Sequence, residues 1–297
     1  MKECFHLHRG VRDGQIIYFW VALSTHLEAV NSGCIVQDTT LLEVQKMTRI
    51  VALFNQSGGV AKTTLTMNLG YHLQERKHRV LLVDMDPQAS LTTFLGLDPV
   101  ELTHTVYEAV VGEEPLPIKG PIHGMHVAPS NINLSAAELE LVSALMREMR
   151  LKEALAPILD DYDFILIDCP PSLGILSVIS LVAATHVLVP IQTQFKAFQG
   201  TDLLLNTVAG LRKAANRHLA IAGFIPTMYD GRTAQETRTY KAMLEQLSPL
   251  AAVLEPIPRT IAFPDASEAR LPLALSNPKH PAVAAMKKIV KCLEKLP

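Results

Sequence analysis

The stretch FNQSGGVAKTTLTMN, residues 54–68, decides how the rest of this chain is read. It follows at once on the apolar run RIVAL at 49–53 and leads into TLTMNLGYHL at 64–73, which continues as a helix. Between a strand and a helix, a glycine pair lets backbone N–H groups close around phosphate oxygens, and the helix dipole favours the anion. Gly58 and Gly59 supply that turn, Lys62 the charge that neutralises phosphate, and Thr63 and Thr64 hydroxyls of the kind that hold magnesium. The common GxxxxGK(S/T) spacing is not met, because Gln56 and Ala61 stand where its two glycines would fall.

Working outward, apolar runs recur at RIVALF (49–54), RVLLVD (79–84), DFILID (163–168), THVLVPI (185–191) and AIAGFIPT (220–227). Between them lie helix-like stretches such as AELELVSALMREMRLKEAL (137–155). Continuous apolar strands are buried on both faces, and parallel neighbours need helical crossovers. The pattern therefore predicts an α/β fold, a mostly parallel twisted sheet flanked by helices on both faces. In such sheets ligands gather at the carboxyl ends of the strands. Three of the runs end in SGGVAKTT (57–64), DMDPQAS (84–90) and DCPPSLG (168–174), which are expected to converge on one crevice.

With 297 residues, 48% of them hydrophobic and 19% charged, the chain has enough apolar material for one large core. A net charge of -2 argues against a globally basic nucleic-acid coat, while leaving room for a local basic patch. Cys4, Cys34, Cys169 and Cys292 lack metal-ligand spacing, and no apolar segment reaches the roughly 18 residues of a membrane span. Both features point to a reducing, cytosolic setting. QIIYFWVAL (15–23) has the length of a signal-peptide core but no clear small-residue cleavage site after it. Residues 1–46 show no sustained period, so they are expected to form an extension outside the core, either a leader-like segment or a partner-binding arm. The domain proper is expected to span 47–297.

The loop fits a second template better. It resembles the deviant Walker A motif, KGGxxK(S/T), of the ParA/MinD family of dimerising ATPases. The likeness continues through LLVDMDPQASLTTFLG (81–96), DFILIDCPPSLG (163–174), GFIPTMYDGRT (223–233) and EPIPRTIAFPDA (255–266), in the family's order. The resemblance implies a P-loop NTPase fold and a site for ATP and Mg2+ built from Ser57, Gly58, Gly59, Val60, Ala61, Lys62, Thr63 and Thr64. In that reading Lys62 binds the β- and γ-phosphates, Thr63 ligates Mg2+, and Asp86 positions the attacking water. Asp84 and Asp168 would hold the water shell of the metal; for Asp84 a simple turn-capping role is the alternative. Met228, Tyr229 and Asp230, with Pro256, Ile257 and Pro258, match segments flanking the adenine, although core packing accounts for Met228 and Ile257 equally well.

Two residues depart from the family pattern. Ser57 stands in place of the signature lysine that crosses the dimer interface, and a neutral hydroxyl cannot offset transition-state charge. Lys196, in PIQTQFKAFQGTD after the strand THVLVPI, is the candidate catalytic substitute; a solvated surface lysine is the alternative. A serine at this point of an SGGVAKTT-like loop is similar to the carboxysome-positioning McdA branch of the family. Ala61, where the family usually has glycine, requires a backbone angle that alanine tolerates less well.

What the resemblance implies for function is a cytoplasmic, nucleoid-associated ATPase. It would form a homodimer on ATP, bind double-stranded DNA without sequence preference, and position a cargo, carboxysomes in the McdA-like reading. A cargo adaptor, McdB-like in that case, would stimulate hydrolysis. Plasmid or chromosome partition is the neighbouring alternative. Arg232 and Arg259 are the DNA-contact candidates by family position, with Arg212, Lys213, Lys287, Lys288 and Lys291 either looser candidates or a solvated helix face. A MinD-like membrane switch would use the tail AVAAMKKIVKCLEKLP (282–297), but its apolar face lacks Phe and Trp and suits docking to the sheet. A shared iron–sulfur cluster is set aside, since Cys169 alone lies near the nucleotide motifs. No helix-turn-helix segment is visible, so operator recognition is not expected.

Overall fold

The computed structural model describes residues 5–12, 15–22 and 47–297. The chain divides into two compact units, Met1–Gln45 and Lys46–Pro297. In the first, β1 (Phe5–Arg12) pairs antiparallel with β2 (Gln15–Ala22), Phe5 opposite Ala22 and Arg12 opposite Gln15. The sequence pattern did not suggest this pair, and the segment compared with a signal-peptide core runs as β2. Its β-branched and aromatic residues, Ile16, Ile17, Tyr18, Phe19, Trp20 and Val21, are strand formers. The rest of the segment 1–46, Cys4 and Cys34 included, lies outside the described residues.

The strands of the second unit are β3 (Arg49–Leu53), β4 (Val80–Asp84), β5 (Lys119–Ile122), β6 (Met125–Ala128), β7 (Phe164–Asp168), β8 (His186–Gln192) and β9 (Ala220–Thr227). They form one seven-stranded sheet in the order β5-β6-β4-β7-β3-β8-β9, parallel except for the β5–β6 pair. The helices in chain order are α1 (Lys62–Glu75), α2 (Ser90–Phe94), α3 (Val106–Val111), α4 (Leu134–Glu140), α5 (Arg150–Leu155) and α6 (Ile175–Ala183). They continue as α7 (Phe195–Gln199), α8 (Thr201–Ala214), α9 (Ala234–Leu247), α10 (Ala262–Glu268), α11 (Leu273–Ser276) and α12 (Pro281–Leu293). The expected α/β class, with five of these strands at the predicted apolar runs, is what the chain adopts.

Strand alternation explains the continuous apolar runs. Along β3, Ile50 and Ala52 enter one core cluster while Val51 and Leu53 enter the other; β7 splits the same way, Ile165 and Ile167 against Phe164 and Leu166. On the first face lie Val106 and Val110 of α3, Leu151 and Leu155 of α5, Ile179 of α6 and Leu204 of α8. On the second lie Leu65, Leu69 and Leu73 of α1 with Met286, Ile289 and Val290 of α12. Each such side chain contributes roughly 1.5–3 kcal/mol by leaving water, so neither face of the sheet is dispensable. The C-terminal tail therefore docks by its apolar face, as its composition suggested.

The stretch AELELVSALMREMRLKEAL does not form one helix. α4 passes into a 3-10 turn at Leu141–Ser143, Ala144 is extended, and Met146 takes a left-handed φ of 51° before α5 begins. Leu139, Val142, Leu145 and Met146 are 61–88% exposed there, so the apolar spacing that reads as a helix face is not covered by the described residues.

Candidate nucleotide-binding site

Parallel register brings the motif ends level. Leu53 at the end of β3 pairs with Asp168 at the end of β7, and Asp84 at the end of β4 pairs with the same Asp168. Three adjacent central strands thus deliver the glycine loop and two carboxylates to one edge of the sheet. Above that edge lies a cavity of about 410 Å³, a size suited to a small-molecule ligand.

The loop is organised by its own side chains. Asn55 Oδ1 accepts from Ser57 N–H at 2.9 Å, while Asn55 Nδ2 donates to the Pro190 carbonyl at 2.7 Å. Lys62 Nζ donates to the Asn55 and Ser57 carbonyls, each at 2.9 Å, bridging the turn that would close around phosphate. Burial lowers the pKa of Lys62, with nearby Asp168 opposing that shift. Gly59 has φ 70°, and Ala61, just before α1, has φ 72°. The left-handed region costs an L-residue about 1–2 kcal/mol, so Ala61 holds the loop at an energetic cost that glycine would avoid.

Asp84 and Asp168 are fully buried. Asp84 Oδ2 accepts from Thr92 N–H at 2.9 Å and from Thr92 Oγ1 at 2.7 Å, and its Oδ1 accepts from Asp86 N–H at 3.2 Å. Its acceptors are thus engaged in shaping the DMDPQAS turn. Burial pushes Asp84 up to about 6. Burial and the neighbouring Asp84 push Asp168 well above the ordinary carboxylate range. Asp168 Oδ2 is buried without a hydrogen-bond partner, and the Thr66 hydroxyl donates to its Oδ1 at 3.5 Å.

An unpartnered carboxylate oxygen close to the glycine loop is the kind of hard oxygen acceptor that would take up Mg2+ or one of its waters. Among the described residues no group of three or more His, Cys, Asp or Glu is arranged to cage a metal. A bound Mg2+ would supply charge neutralisation at the phosphates, with Thr63 and Asp168 as the residues that hold it or its water shell.

The other end of the cavity is lined by Thr227, Met228, Ile257, Pro258, Arg259, Thr260 and Phe263. Thr227 Oγ1 is buried without a partner, an unused donor and acceptor at a ligand wall. Met228 has φ 54°. Glu236 of α9 is buried and accepts from Arg259 Nη2 at 3.1 Å.

Of the sequence candidates, Gly58, Gly59, Ala61, Lys62, Thr63, Thr64, Asp86, Met228, Pro258 and Arg259 line the cavity. Ser57 is half-buried at the turn and Val60 lies in the apolar interior; neither lines it. Lys196 is exposed on α7, outside the cavity, and the neighbouring corner is tied to the loop by Gln56 Nε2 donating to Gly200 O at 3.3 Å. Arg232 is 90% exposed and forms a two-pronged pair with Asp230, at 2.9 and 2.7 Å. Sequence reasoning missed Thr227 and Glu236. The signal for Thr227 was its place as last residue of a strand that ends at the crevice.

Similarity to known proteins agrees with this geometry. A family model described as an AAA domain matches residues 48–221. The sporulation initiation inhibitor protein Soj of Bacillus subtilis is 38% identical over 236 residues, covering 78% of this chain and 93% of Soj. The chain belongs to the ParA/Soj/MinD ATPase family. Among solved structures of this fold, cobyrinic acid a,c-diamide synthase from Mycobacterium smegmatis, with bound ATP analog and magnesium, matches at TM-score 0.74 and 36% identity, over 84% of this chain and 95% of its own. The ATP complex of a single-site variant of McdA from Cyanothece matches at TM-score 0.76 and 25% identity, over 85% of this chain and 98% of its own. Family members of this fold thus carry ATP or its analog at 25–36% identity to the present chain.

Proposed function

We propose that residues 47–297 form a ParA-type ATPase that binds ATP with Mg2+, closes into a homodimer, holds nonspecific nucleoid DNA and positions a cargo. The observation that carries this reading is the meeting of Lys62 and Thr63 at one end of a cavity, with the unpartnered Asp168 Oδ2 buried behind its lining, in a chain 38% identical to Soj. Hydrolysis would use Lys62 against phosphate charge and Asp86 to orient water, with an adaptor protein accelerating the step. The exposed apolar side chains of Leu139, Val142, Leu145 and Met146 suit burial against a second copy.

Lys196 is proposed to supply the charge that Ser57 lacks, reaching toward the partner's phosphates from the corner beside the loop. Among the described residues no helix is long and apolar enough to cross a membrane, and the apolar face of α12 is already buried, which favours DNA over a lipid surface. Arg232 and Arg259 would have to exchange Asp230 and Glu236 for DNA phosphates. For the cargo, Ser57 and the likeness to McdA support carboxysomes, and the higher identity to Soj supports a partition complex.

The test is DNA binding with ATP, ADP or no nucleotide at two salt concentrations. Binding that needs ATP and weakens with salt is expected; no binding in any state would overturn the DNA reading. ATP turnover should fall at least tenfold in Lys196→Ala, and wild-type turnover would retire that residue.

A further inference from the structure

The base end of the cavity is walled by two chain segments, the turn after β9 and the segment before α10; Tyr229 N–H donates to the Ile257 carbonyl at 2.9 Å and Arg259 N–H to the Tyr229 carbonyl at 3.2 Å, and one carboxylate bonds to both segments. Glu236, with a side chain 10% exposed, accepts from Asp230 N–H at 2.5 Å and from Thr193 Oγ1 at 3.2 Å through Oε2. Through Oε1 it accepts from Arg259 Nη2 at 3.1 Å. A carboxylate taken from water is costly unless cations and donors surround it, and here the donors come from three segments.

Helix α9 does not require this arrangement. Thr233 caps the helix with its own hydroxyl, which accepts from Glu236 N–H at 3.4 Å. The TAQE pattern would return the glutamate to the Thr233 N–H as a capping box, yet the carboxylate goes instead to the turn that follows Met228. Met228 itself holds a left-handed φ of 54°, a conformation that persists only where the surroundings fix it. The backbone bridge of Tyr229 to Ile257 and Arg259, with the Asp230 anchor just beyond it, provides such a fixture.

Building on the ATP-site reading above, we propose that Glu236 is a positioning residue for nucleotide recognition, setting Arg259 and the Met228 turn against the base and ribose end of the nucleotide. Arg259 then works at the cavity wall, and its charge is held by Glu236 instead of being free for DNA.

The test compares Glu236→Gln and Arg259→Ala with wild type, using a fluorescent ATP analogue competed by ATP, GTP and inorganic tripolyphosphate. Glu236→Gln should weaken ATP about tenfold, the scale of one lost charge-assisted hydrogen bond, and narrow the preference for ATP over GTP. Tripolyphosphate competition should stay unchanged, Arg259→Ala should reproduce the base-dependent loss, and Glu236→Asp should restore part of it. Parallel weakening of ATP and tripolyphosphate, or no change in ATP, would overturn the proposal. If Glu236→Gln does not fold, Arg259→Ala gives the same reading. If wild-type protein binds neither ATP nor tripolyphosphate, the site reading itself fails and this inference with it.

Discussion

The two ends of the cavity are built by different means. At the proposed phosphate end, backbone turns leave the ends of three hydrogen-bonded central strands, and the side chains involved lie within short contiguous motifs. At the proposed base end, two loops far apart in the chain meet through a short parallel backbone bridge, Tyr229 N–H donating to the Ile257 carbonyl at 2.9 Å and Arg259 N–H to the Tyr229 carbonyl at 3.2 Å, and the Glu236 side chain adds a contact to each. An end backed by three full strands is expected to be stiff, whereas one resting on a single bridge and one buried carboxylate is more open to change by single substitutions.

The largest expected effect tests the phosphate end. Lys62→Ala removes the one ammonium within the turn, and ATP turnover should fall by at least about a hundredfold in a phosphate-release assay. Retained turnover would mean that the loop is not the catalytic element. At the base end, Thr227→Val keeps the shape but deletes the unpartnered hydroxyl. Affinity for ATP should drop roughly fivefold to tenfold by titration calorimetry, while the ligand-free protein melts no lower than wild type, since an unsatisfied buried group has been removed. Losses of ATP affinity and of ligand-free stability together would contradict that division.

A third effect concerns acidity beneath the phosphate end. Burial lifts folded Asp84 from 3.8 to about 6, so its acid form is favoured on folding. The stability it contributes is complete below about pH 4 and is lost as pH rises through about 6. Ligand-free wild type should lose on the order of 2–3 kcal/mol from this group between pH 4 and 7, and Asp84→Asn should flatten that part of the profile in denaturant titrations. The smallest expected effect is Ala61→Gly, which relieves the left-handed φ and should stabilise the ligand-free protein by up to about 1 kcal/mol.

The same contrast governs what could be read from sequence. Runs such as DFILID announce central strands because burial on both faces leaves no polar position, and the phosphate loop is contiguous, so its parts are adjacent in the text. β5 and β6 escaped notice because each has four residues, and β5, reading KGPI, is largely exposed. The break after α4 escaped because its apolar residues keep helical spacing while facing solvent. Glu236 imitates a capping box, and its real partners, Thr193, Asp230 and Arg259, are linked to it only by the fold. Arg259 carried a family expectation of DNA contact, and only its surroundings reveal the carboxylate that holds it.

The sheet also separates the interior thermodynamically. Ile165 and Leu166 are chain neighbours, yet they belong to different apolar layers with different packing partners. Truncations on opposite layers should therefore have nearly additive free energies, while pairs within a layer should couple. Substitutions that repack one layer thus leave the other to be altered on its own, and this protein has two largely independent surfaces on which sequence change can accumulate.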